Sequence, residues 1–198
     1  MLAQSQNDLL REVRTIFDSA EHTFTVSITS AHDLLRELFT LKGAGTLLRR
    51  GTEVARYASY SETSANRLDA LLESAFGKPV AAAFYQRPIR ELFVAADYRG
   101  AAIVEESPLA PYLSKFAVNL RAQGEGIGGD IWRALRKQNP RLFWRSRPGN
   151  PIVGWYTSQC DGFVRGNDWT VFWCGLNVAE IAQAVDLAIA APSDFGGS

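Results

Sequence analysis

Apolar residues in the first part of the chain recur at three- and four-residue spacing, which is typical of amphipathic helices. This spacing predicts three helices, at residues 8–20, 30–40 and 66–75. Residues 23–28 alternate apolar and polar positions, and residues 46–50 lie between glycines, so both segments are predicted to be short strands. The beginning of the chain is therefore expected to be mainly helical.

From residue 80 onwards, short apolar runs are separated by turn residues, which indicates a meander of strands. The predicted strands lie at residues 80–85, 91–96, 101–104 and 112–118. The later elements are a helix at 128–137, a strand at 142–147, a short helix at 155–160, a strand at 169–174 and a last helix. Asn177 and Glu180, spaced as in a capping box, mark the start of that helix. This order of elements predicts a mixed α/β or α+β domain, with helices and strands interspersed along the chain.

Charge and residue usage exclude several classes of function. The 198 residues include 21 Lys and Arg against 21 Asp and Glu, so the formal net charge is zero. We therefore expect no nucleic-acid or membrane partner, because such binding rests on an excess of basic residues. No apolar run is long enough to predict a membrane span, and the N-terminus lacks the pattern of a secretory signal.

Cysteine and histidine are scarce in this chain. Cys160 and Cys174 are the only cysteines, and His22 and His32 are the only histidines. Without a cluster of such side chains we expect no metal site and no histidine-based nucleophile. The two thiols are expected to be reduced, which favours a cytoplasmic protein.

The most informative segment is a glycine-rich loop, QGEGIGG at residues 123–129, between a predicted strand and a predicted helix. Glycines let successive backbone N–H groups point into one concavity, and the helix N-terminus behind them adds partial positive charge. Both features favour a bound phosphate or pyrophosphate group.

This loop fits two patterns. Gly124, Gly126 and Gly129 satisfy the G-x-G-x-x-G pattern of dinucleotide-binding domains. That pattern requires an acidic residue about twenty positions later, whereas residues 145–147 are Arg-Ser-Arg, which would suit only the 2′-phosphate of NADP. The chain after the loop is also short for the further strand–helix units of such a domain.

Gln123, Gly126 and Gly128 equally fit the Q/R-x-x-G-x-G/A signature, and with the preceding strand the loop resembles the acetyl-CoA site of GNAT acetyltransferases. Further segments are DYRGAAIV (97–104), PYLSKFAV (111–118), LFWRSRPGNPI (142–152) and DWTVFWCGL (168–176). From residue 24 to the C-terminus the chain resembles the acetyltransferase domain of N-acetylglutamate synthases, of the vertebrate-like type found in bifunctional synthase/kinases. Residues 1–23 are then an N-terminal helix or linker, and residues 24–198 are the acetyltransferase domain.

The resemblance implies a GNAT fold, with a central, mostly antiparallel sheet flanked by helices. It implies transfer of the acetyl group of acetyl-CoA to the α-amino group of L-glutamate, which supplies N-acetylglutamate for arginine biosynthesis. Lys115 and Tyr156 match the catalytic pair, and Lys115, Arg145, Arg147 and Asn150 match the substrate-binding residues. The expected acetyl-CoA contacts are Phe116, Ala117, Val118, Gln123, Gly124, Gly126, Ile127, Gly128 and Gly129.

These residue types suit that chemistry. Arg145 and Arg147 are two apart on a predicted strand, so both project from one face, and each guanidinium can bind a carboxylate bidentately. Asn150 offers a donor and an acceptor. Tyr156, with an ordinary phenol pKa of about 10, is the candidate general acid for the leaving thiolate. Residues 116–118 are expected to provide backbone donors to the oxyanion. The acceptor of the amine proton stays open between three acidic residues and a water chain; the acidic residues are Glu91, Glu105 and Glu106.

Val153 and Gly154 depart from the family, which often has Asn-Pro before the Trp-Tyr pair, so the shape of the acceptor pocket is open. The resemblance also implies an amino-acid kinase domain in a longer protein, and a homo-oligomer. The alternatives are an acetyltransferase for another amino acid or amine, and a non-catalytic CoA-binding regulatory domain.

Overall fold

The chain divides into two compact units, residues 1–51 and 52–198. The structure is a computed structural model, and it describes residues 2–19, 25–39, 45–192 and 194. The predicted boundary between residues 23 and 24 lies outside these described residues, and so does His22. That boundary stays a prediction.

The described part of the first unit contains the helices and strands that the apolar pattern predicts. Its elements are α1 (Leu2–Ser19), β1 (Thr25–Ile28), α2 (Leu34–Phe39) and β2 (Thr46–Arg49). Strands β1 and β2 pair antiparallel, with Thr25 opposite Arg49. Helix α2 begins four residues later than predicted, because the Ser30 hydroxyl accepts the Asp33 N–H at 3.1 Å and holds a turn there. The predicted end positions 20, 23 and 40 lie outside the described residues.

The second unit is built on one sheet with helices on both sides. Its elements are β3 (Val54–Tyr57), α3 (Ala65–Phe76), β4 (Glu91–Ala95), β5 (Gly100–Glu105), β6 (Tyr112–Val118), α4 (Ile127–Gln138), β7 (Leu142–Ser146), α5 (Val153–Gln159), β8 (Gly162–Arg165), β9 (Thr170–Cys174) and α6 (Ile181–Ala190). In the described part of the chain the strand order is β3-β4-β5-β6-β7-β9-β8, and only β6 and β7 pair in parallel. The predicted α+β fold with a mostly antiparallel sheet is confirmed.

Alternation along the strands divides the helices between the two faces of this sheet. Phe116 of β6 packs in a core with α4 and α5, whereas its neighbour Ala117 packs in a second core with α3. A β-bulge between Leu113 and Lys115 keeps Leu113 on the same side as Phe116. Helix α6 lies on the same side as α3. Its Ala188 packs with Phe143, which is the cross-strand partner of Tyr112. Tyr112 points away from the α4 side, because its neighbour Leu113 points towards it. We refer to the side covered by α4 and α5 as the α4 face, and to the side covered by α3 and α6 as the α6 face.

The strand predicted at residues 80–85 is wrong. The chain there forms a 3₁₀ helix, Ala82–Gln86. Consecutive residues Phe84 and Tyr85 both contact the ring of Tyr60, at centroid distances of 5.7 and 5.0 Å. A strand would send consecutive side chains to opposite faces, so the aromatic cluster is incompatible with it.

Strands β3 and β8 are absent from the sequence-based assignment. Both lie at the edges of the sheet, where one side has no neighbouring strand among the described residues. Neither strand shows clean alternation of buried and exposed residues, because each is partly solvated. Each also carries an arginine, which is Arg56 in β3 and Arg165 in β8. The pattern that predicts half-buried strands is therefore missing from both.

Candidate functional site

The sheet opens between its parallel strands. Within the described residues, β6 and β7 pair only at Tyr112–Phe143 and Leu113–Trp144, although β6 continues to Val118. Beyond Leu113, β6 is paired with β5 on its other side. Alternate backbone N–H and C=O groups of residues 114–118 therefore point into the opening, where a ligand can bond them.

The glycine loop follows the open end of β6 after a short 3₁₀ helix, Leu120–Ala122. Gly124 and Gly126 have φ of 89° and 77°, which favours glycine, and Gly126 caps α4 without a side-chain hydrogen bond. A Cβ at Gly128 would contact Phe116 and Val118 at 3.6–3.8 Å, so the helix start lies against β6. A Cβ at Gly129 would meet nothing within 4 Å, so the backbone there is open to a ligand. This arrangement fits a pyrophosphate bound by backbone N–H groups at a helix N-terminus.

The acidic residue inside this loop is neutralised. Glu125 is ion-paired with the guanidinium of Arg99, which follows β4. The Asp130 carboxylate, in the first turn of α4, accepts the N–H of Thr52 at 2.8 Å and pairs with Arg133 at 3.0 Å. Both carboxylates thus have cationic partners that reduce their repulsion of a bound anion.

Tyr156 lies on the α4 face in a cluster of aromatic rings. Its side chain is buried, and its ring centroid is 5.5 Å from Trp144, 6.2 Å from Phe116 and 5.4 Å from Phe172. Desolvation raises the pKa of Tyr156 well above that of an ordinary phenol. The ordinary pKa expected from the sequence is therefore corrected, and Tyr156 is a neutral hydrogen-bond donor at physiological pH.

Lys115 lies on the opposite face, because its cross-strand partner is Ile103 in the α3 core. It is buried, and its Nζ donates to the carbonyl of Ser114 at 3.0 Å and to the carboxylate of Asp194. Burial lowers the pKa of Lys115, and the Asp194 carboxylate opposes that shift. Lys115 and Asp194 therefore form a buried ion pair on this side of the sheet, the α6 face.

The two arginines of β7 and its following turn share one aromatic contact. The guanidinium groups of Arg145 and Arg147 are each 3.9 Å from the ring centroid of Trp169. Arg145 also donates to three carbonyls at the end of α6, those of Ala188 at 2.6 Å, Ile189 at 2.9 Å and Pro192 at 3.1 Å. Arg147 is more exposed, with Asp168 as its ionic partner at 3.9 Å. Arg145 is therefore anchored, whereas Arg147 has capacity for a ligand.

Asn150 lies in the turn that leads from β7 into α5. Its N–H donates to the carbonyl of Arg147 at 3.0 Å, and its Oδ1 accepts the N–H of Ile152 at 3.2 Å. The Pro-Gly-Asn-Pro sequence suits such a turn, because its prolines fix φ and lack a backbone N–H, and because glycine and asparagine are common turn residues. The turn starts α5 and thereby places Tyr156 beside the opening.

The three acidic candidates for the amine proton have different surroundings. Glu91 is buried on the α4 face, where its carboxylate accepts hydrogen bonds from Arg56 and Asn139. These bonds stabilise the charged carboxylate and disfavour its taking up the amine proton. Glu106 is exposed and pairs with Arg90. Glu105 faces the same side as Tyr112, its cross-strand partner, and therefore shares the α6 face with Lys115.

The structure thus brings Phe116–Val118 and the glycine loop together at the opening, with Tyr156 on the same face. It places Lys115 and Arg145 on the other face, with Arg147 and Asn150 in the connecting turn. Two further residues of the α6 face were missing from the sequence-based set. Arg87 and Asp194 contact each other beside Lys115. Neither belongs to a motif, so no local signal singles them out.

The described part of the chain has neither a metal-binding cluster nor a membrane-spanning helix. There, no group of three or more His, Cys, Asp or Glu side chains is arranged to bind a metal ion. None of the helices described is both long and apolar enough to cross a bilayer. Cys160 and Cys174 are both free thiols.

Comparison with known proteins agrees with this geometry. Residues 55–190 match the family "NAT, N-acetyltransferase, of N-acetylglutamate synthase". An acetylglutamate kinase of Xylella fastidiosa is 37% identical over 178 residues, which cover 89% of this chain and 42% of the relative. The mitochondrial N-acetylglutamate synthase of Danio rerio is 39% identical over 176 residues, covering 85% of this chain and 33% of the relative. The chain therefore spans well under half the length of these curated relatives.

A solved structure shows the same fold at low identity. A Bacteroides thetaiotaomicron protein assigned to the GNAT family of acetyltransferases superimposes with a TM-score of 0.51 and 13% identity. The match covers 70% of this chain and 97% of that protein. It confirms the predicted GNAT fold.

Proposed function

Because the chain belongs to the family of N-acetyltransferase domains of N-acetylglutamate synthase, we propose that it transfers the acetyl group of acetyl-CoA to the α-amino group of L-glutamate. The observation that carries this proposal is the opening between β6 and β7. It has the glycine loop and α4 on one face and the cationic side chains Lys115 and Arg145 on the other. A two-substrate transfer needs such an opening, since the acyl donor and the acceptor must approach from different sides.

Acetyl-CoA binds on the α4 face in this proposal. The backbone N–H groups at the start of α4, around residues 126–129, bind its pyrophosphate, and the absence of Cβ atoms at Gly124 and Gly129 leaves room for it. The open edge of β6 at Phe116–Val118 receives the pantetheine and acetyl groups. The thioester supplies the activated acetyl group, and the protein supplies position and hydrogen bonds.

L-Glutamate binds on the α6 face. It carries two carboxylates, so its recognition requires fixed cations, and Lys115, Arg147 and Asn150 are the residues with suitable chemistry and place. Arg145 contributes positive charge while it holds the end of α6. Trp169 orients both guanidinium groups by stacking.

The reaction forms a C–N bond and breaks the C–S bond of the thioester. The α-ammonium loses a proton to Glu105 or to water, and the neutral nitrogen then attacks the acetyl carbon. Backbone N–H groups of β6 in the opening stabilise the oxyanion of the tetrahedral intermediate. As the C–S bond breaks, the neutral phenol of Tyr156 gives its proton to the leaving sulfur, and the nitrogen of the tetrahedral intermediate loses its second proton to the phenolate, directly or through water. Because burial raises its pKa, Tyr156 stays protonated until the transition state develops charge.

The domain is proposed to act within a longer protein that also carries an amino-acid kinase domain. The basis is that the Xylella fastidiosa relative is named acetylglutamate kinase and that this chain covers 42% of it. The product of the proposed reaction would be the substrate that this name specifies. A homo-oligomer and a cytoplasmic location stay predictions.

A panel of acceptors tests the proposed function. The protein is incubated with acetyl-CoA and either L-glutamate, L-aspartate, L-glutamine or L-lysine, and release of the CoA thiol is followed. We expect release with L-glutamate far above the rate without acceptor. Release with another acceptor only would favour a second candidate, an acetyltransferase for a different amine whose pocket is shaped by Val153 and Gly154 at the start of α5. No release with any acceptor would contradict catalysis and favour a CoA-binding regulatory domain.

A further inference from the structure

A cluster of four charged side chains lies on the α6 face beside the candidate acceptor site. The Asp194 carboxylate contacts both the Nζ of Lys115 and the guanidinium of Arg87. Arg87 is also 3.2 Å from the carboxylate of Glu105. Lys115 and Asp194 are nearly buried, with 7% and 9% of their side chains exposed. The cluster is therefore a desolvated ionic site rather than a surface ion pair.

Pro192 and Asp194 follow α6, and hydrogen bonds to their carbonyls hold both residues in place. The carbonyl of Asp194 accepts the N–H of Ala81 at 3.0 Å, and the carbonyl of Pro192 accepts from Arg145 at 3.1 Å. Two cations that match acceptor-binding residues, Lys115 and Arg145, thus contact Asp194 and Pro192 of the chain itself. Asp194 and Pro192 lie where the carboxylates of the acceptor are expected.

Arg87 has an unused donor. Its Nη2 contacts Asp194 and Glu105, whereas its buried Nε has no hydrogen-bond partner among the described residues. An arginine binds a carboxylate best through two parallel N–H groups, and Nε with Nη2 form such a pair. Asp194 uses one of them. A carboxylate that approached side-on would satisfy both, at a site where Lys115 supplies a second positive charge.

Resting on the proposed function, we propose that Arg87 and Lys115 form the subsite for one carboxylate of the amino-acid acceptor, and that Asp194 occupies this subsite in the free chain. The acceptor then displaces Asp194 when it binds. Arg87 is a specificity-determining residue for carboxylate-bearing acceptors, and Asp194 is an internal competitor.

Two single variants, each of which removes one partner of the Arg87–Asp194 ion pair, test this assignment. The proposal predicts that they change the KM for L-glutamate in opposite directions. Arg87→Gln removes a ligand for the acceptor and should raise the KM for L-glutamate about tenfold or more. Asp194→Asn removes the competitor and should lower that KM about threefold or more, because the subsite is then free for a larger fraction of the time. The KM for acetyl-CoA should change in neither variant. If the ion pair were only structural, both variants would weaken glutamate binding, and that result would overturn the proposal.

Matched substitutions and a direct binding measurement complete the design. Arg90→Gln and Asp186→Asn each remove an exposed charge outside the cluster and should leave both KM values unchanged. Calorimetric titration of each variant with L-glutamate in the presence of CoA measures binding without transfer. Opposite shifts in binding without thiol release would contradict the proposed function and support the subsite. Thiol release together with shifts of glutamate binding in the same direction in both variants would support the proposed function and contradict the subsite.

Hydrogen exchange in the unmodified chain supplies a measurement that needs no variant. The Ala81 amide is bonded to the Asp194 carbonyl, so displacement of Asp194 should speed its exchange at least threefold when L-glutamate is added. Ethanolamine, which has an amine but no carboxylate, is the reference addition. Unchanged or slower exchange at glutamate concentrations that saturate binding would show that Asp194 stays in place and would overturn the displacement.

Discussion

Replacing Tyr156 by Phe removes the hydroxyl group and keeps the aromatic ring, so it tests the role of the hydroxyl alone. The ring packs against Trp144, Phe116 and Phe172 at centroid distances of 5.4–6.2 Å, and all these contacts survive in Phe. We therefore expect Tm to change little and the KM for acetyl-CoA to stay within about twofold. The proton or hydrogen bond given to the leaving sulfur is lost, and general-acid catalysis typically contributes about 10²–10⁴-fold, so kcat should fall by about 10².

Thiol release under saturating acetyl-CoA and L-glutamate measures this kcat. Tyr57→Phe is the matched control, because Tyr57 lies on the edge strand β3, outside the candidate site, and should leave kcat unchanged. An undiminished kcat in Tyr156→Phe would refute the role of the hydroxyl. An equal loss of kcat and Tm would show that the substitution disturbs the aromatic cluster instead.

Four further substitutions probe the cofactor loop, the two arginines and the buried lysine. Gly129→Ala should raise the free energy of unfolding by about 0.5–1 kcal/mol in denaturant titrations, because Ala favours the helix. The same variant should raise the KM for acetyl-CoA, since its Cβ enters the space left for the ligand. Arg147→Ala should raise the KM for L-glutamate without a change in Tm, whereas Arg145→Ala should also lower Tm, because it removes the bonds to three carbonyls at the end of α6. The pKa of Lys115 is lowered in the folded chain, so above that pKa the unfolded chain binds more protons than the folded one. The stability of the unmodified chain relative to Lys115→Met should therefore rise with pH towards 10.5, as measured by denaturant titrations; a flat or falling difference would contradict the assignment.

Most of the fold could be predicted because its signals are local. The central strands β4 to β6 are bounded by turn residues and carry apolar runs, and the helices show their spacing directly. The Glu180 carboxylate accepts the N–H of Asn177 at 2.8 Å, as the capping-box spacing predicts. Residues 80–85 were misassigned because an apolar run does not reveal whether consecutive aromatics share one cluster. The edge strands β3 and β8 carry too little buried surface to show alternation.

The candidate site could be predicted only where it is contiguous in sequence. The glycine loop and the open end of β6 follow each other along the chain, so their pattern is visible at residues 115–129. The contacts of Asp194 with Lys115 and Arg87 span 79 and 107 residues. Such contacts arise from the packing of α6 on the sheet, and no spacing rule encodes them. The raised pKa of Tyr156 likewise depends on rings contributed by several elements.

Product analysis by NMR tests the central claim most directly. The protein is incubated with acetyl-CoA labelled with ¹³C at the acetyl carbonyl and with L-glutamate labelled with ¹⁵N. The proposed transfer predicts a new carbonyl signal that is coupled to the ¹⁵N nucleus, because the labelled carbon and nitrogen become bonded. If the label appeared only in acetate, or if acetyl-CoA stayed unchanged, the chain would not form N-acetylglutamate and the proposed function would be contradicted.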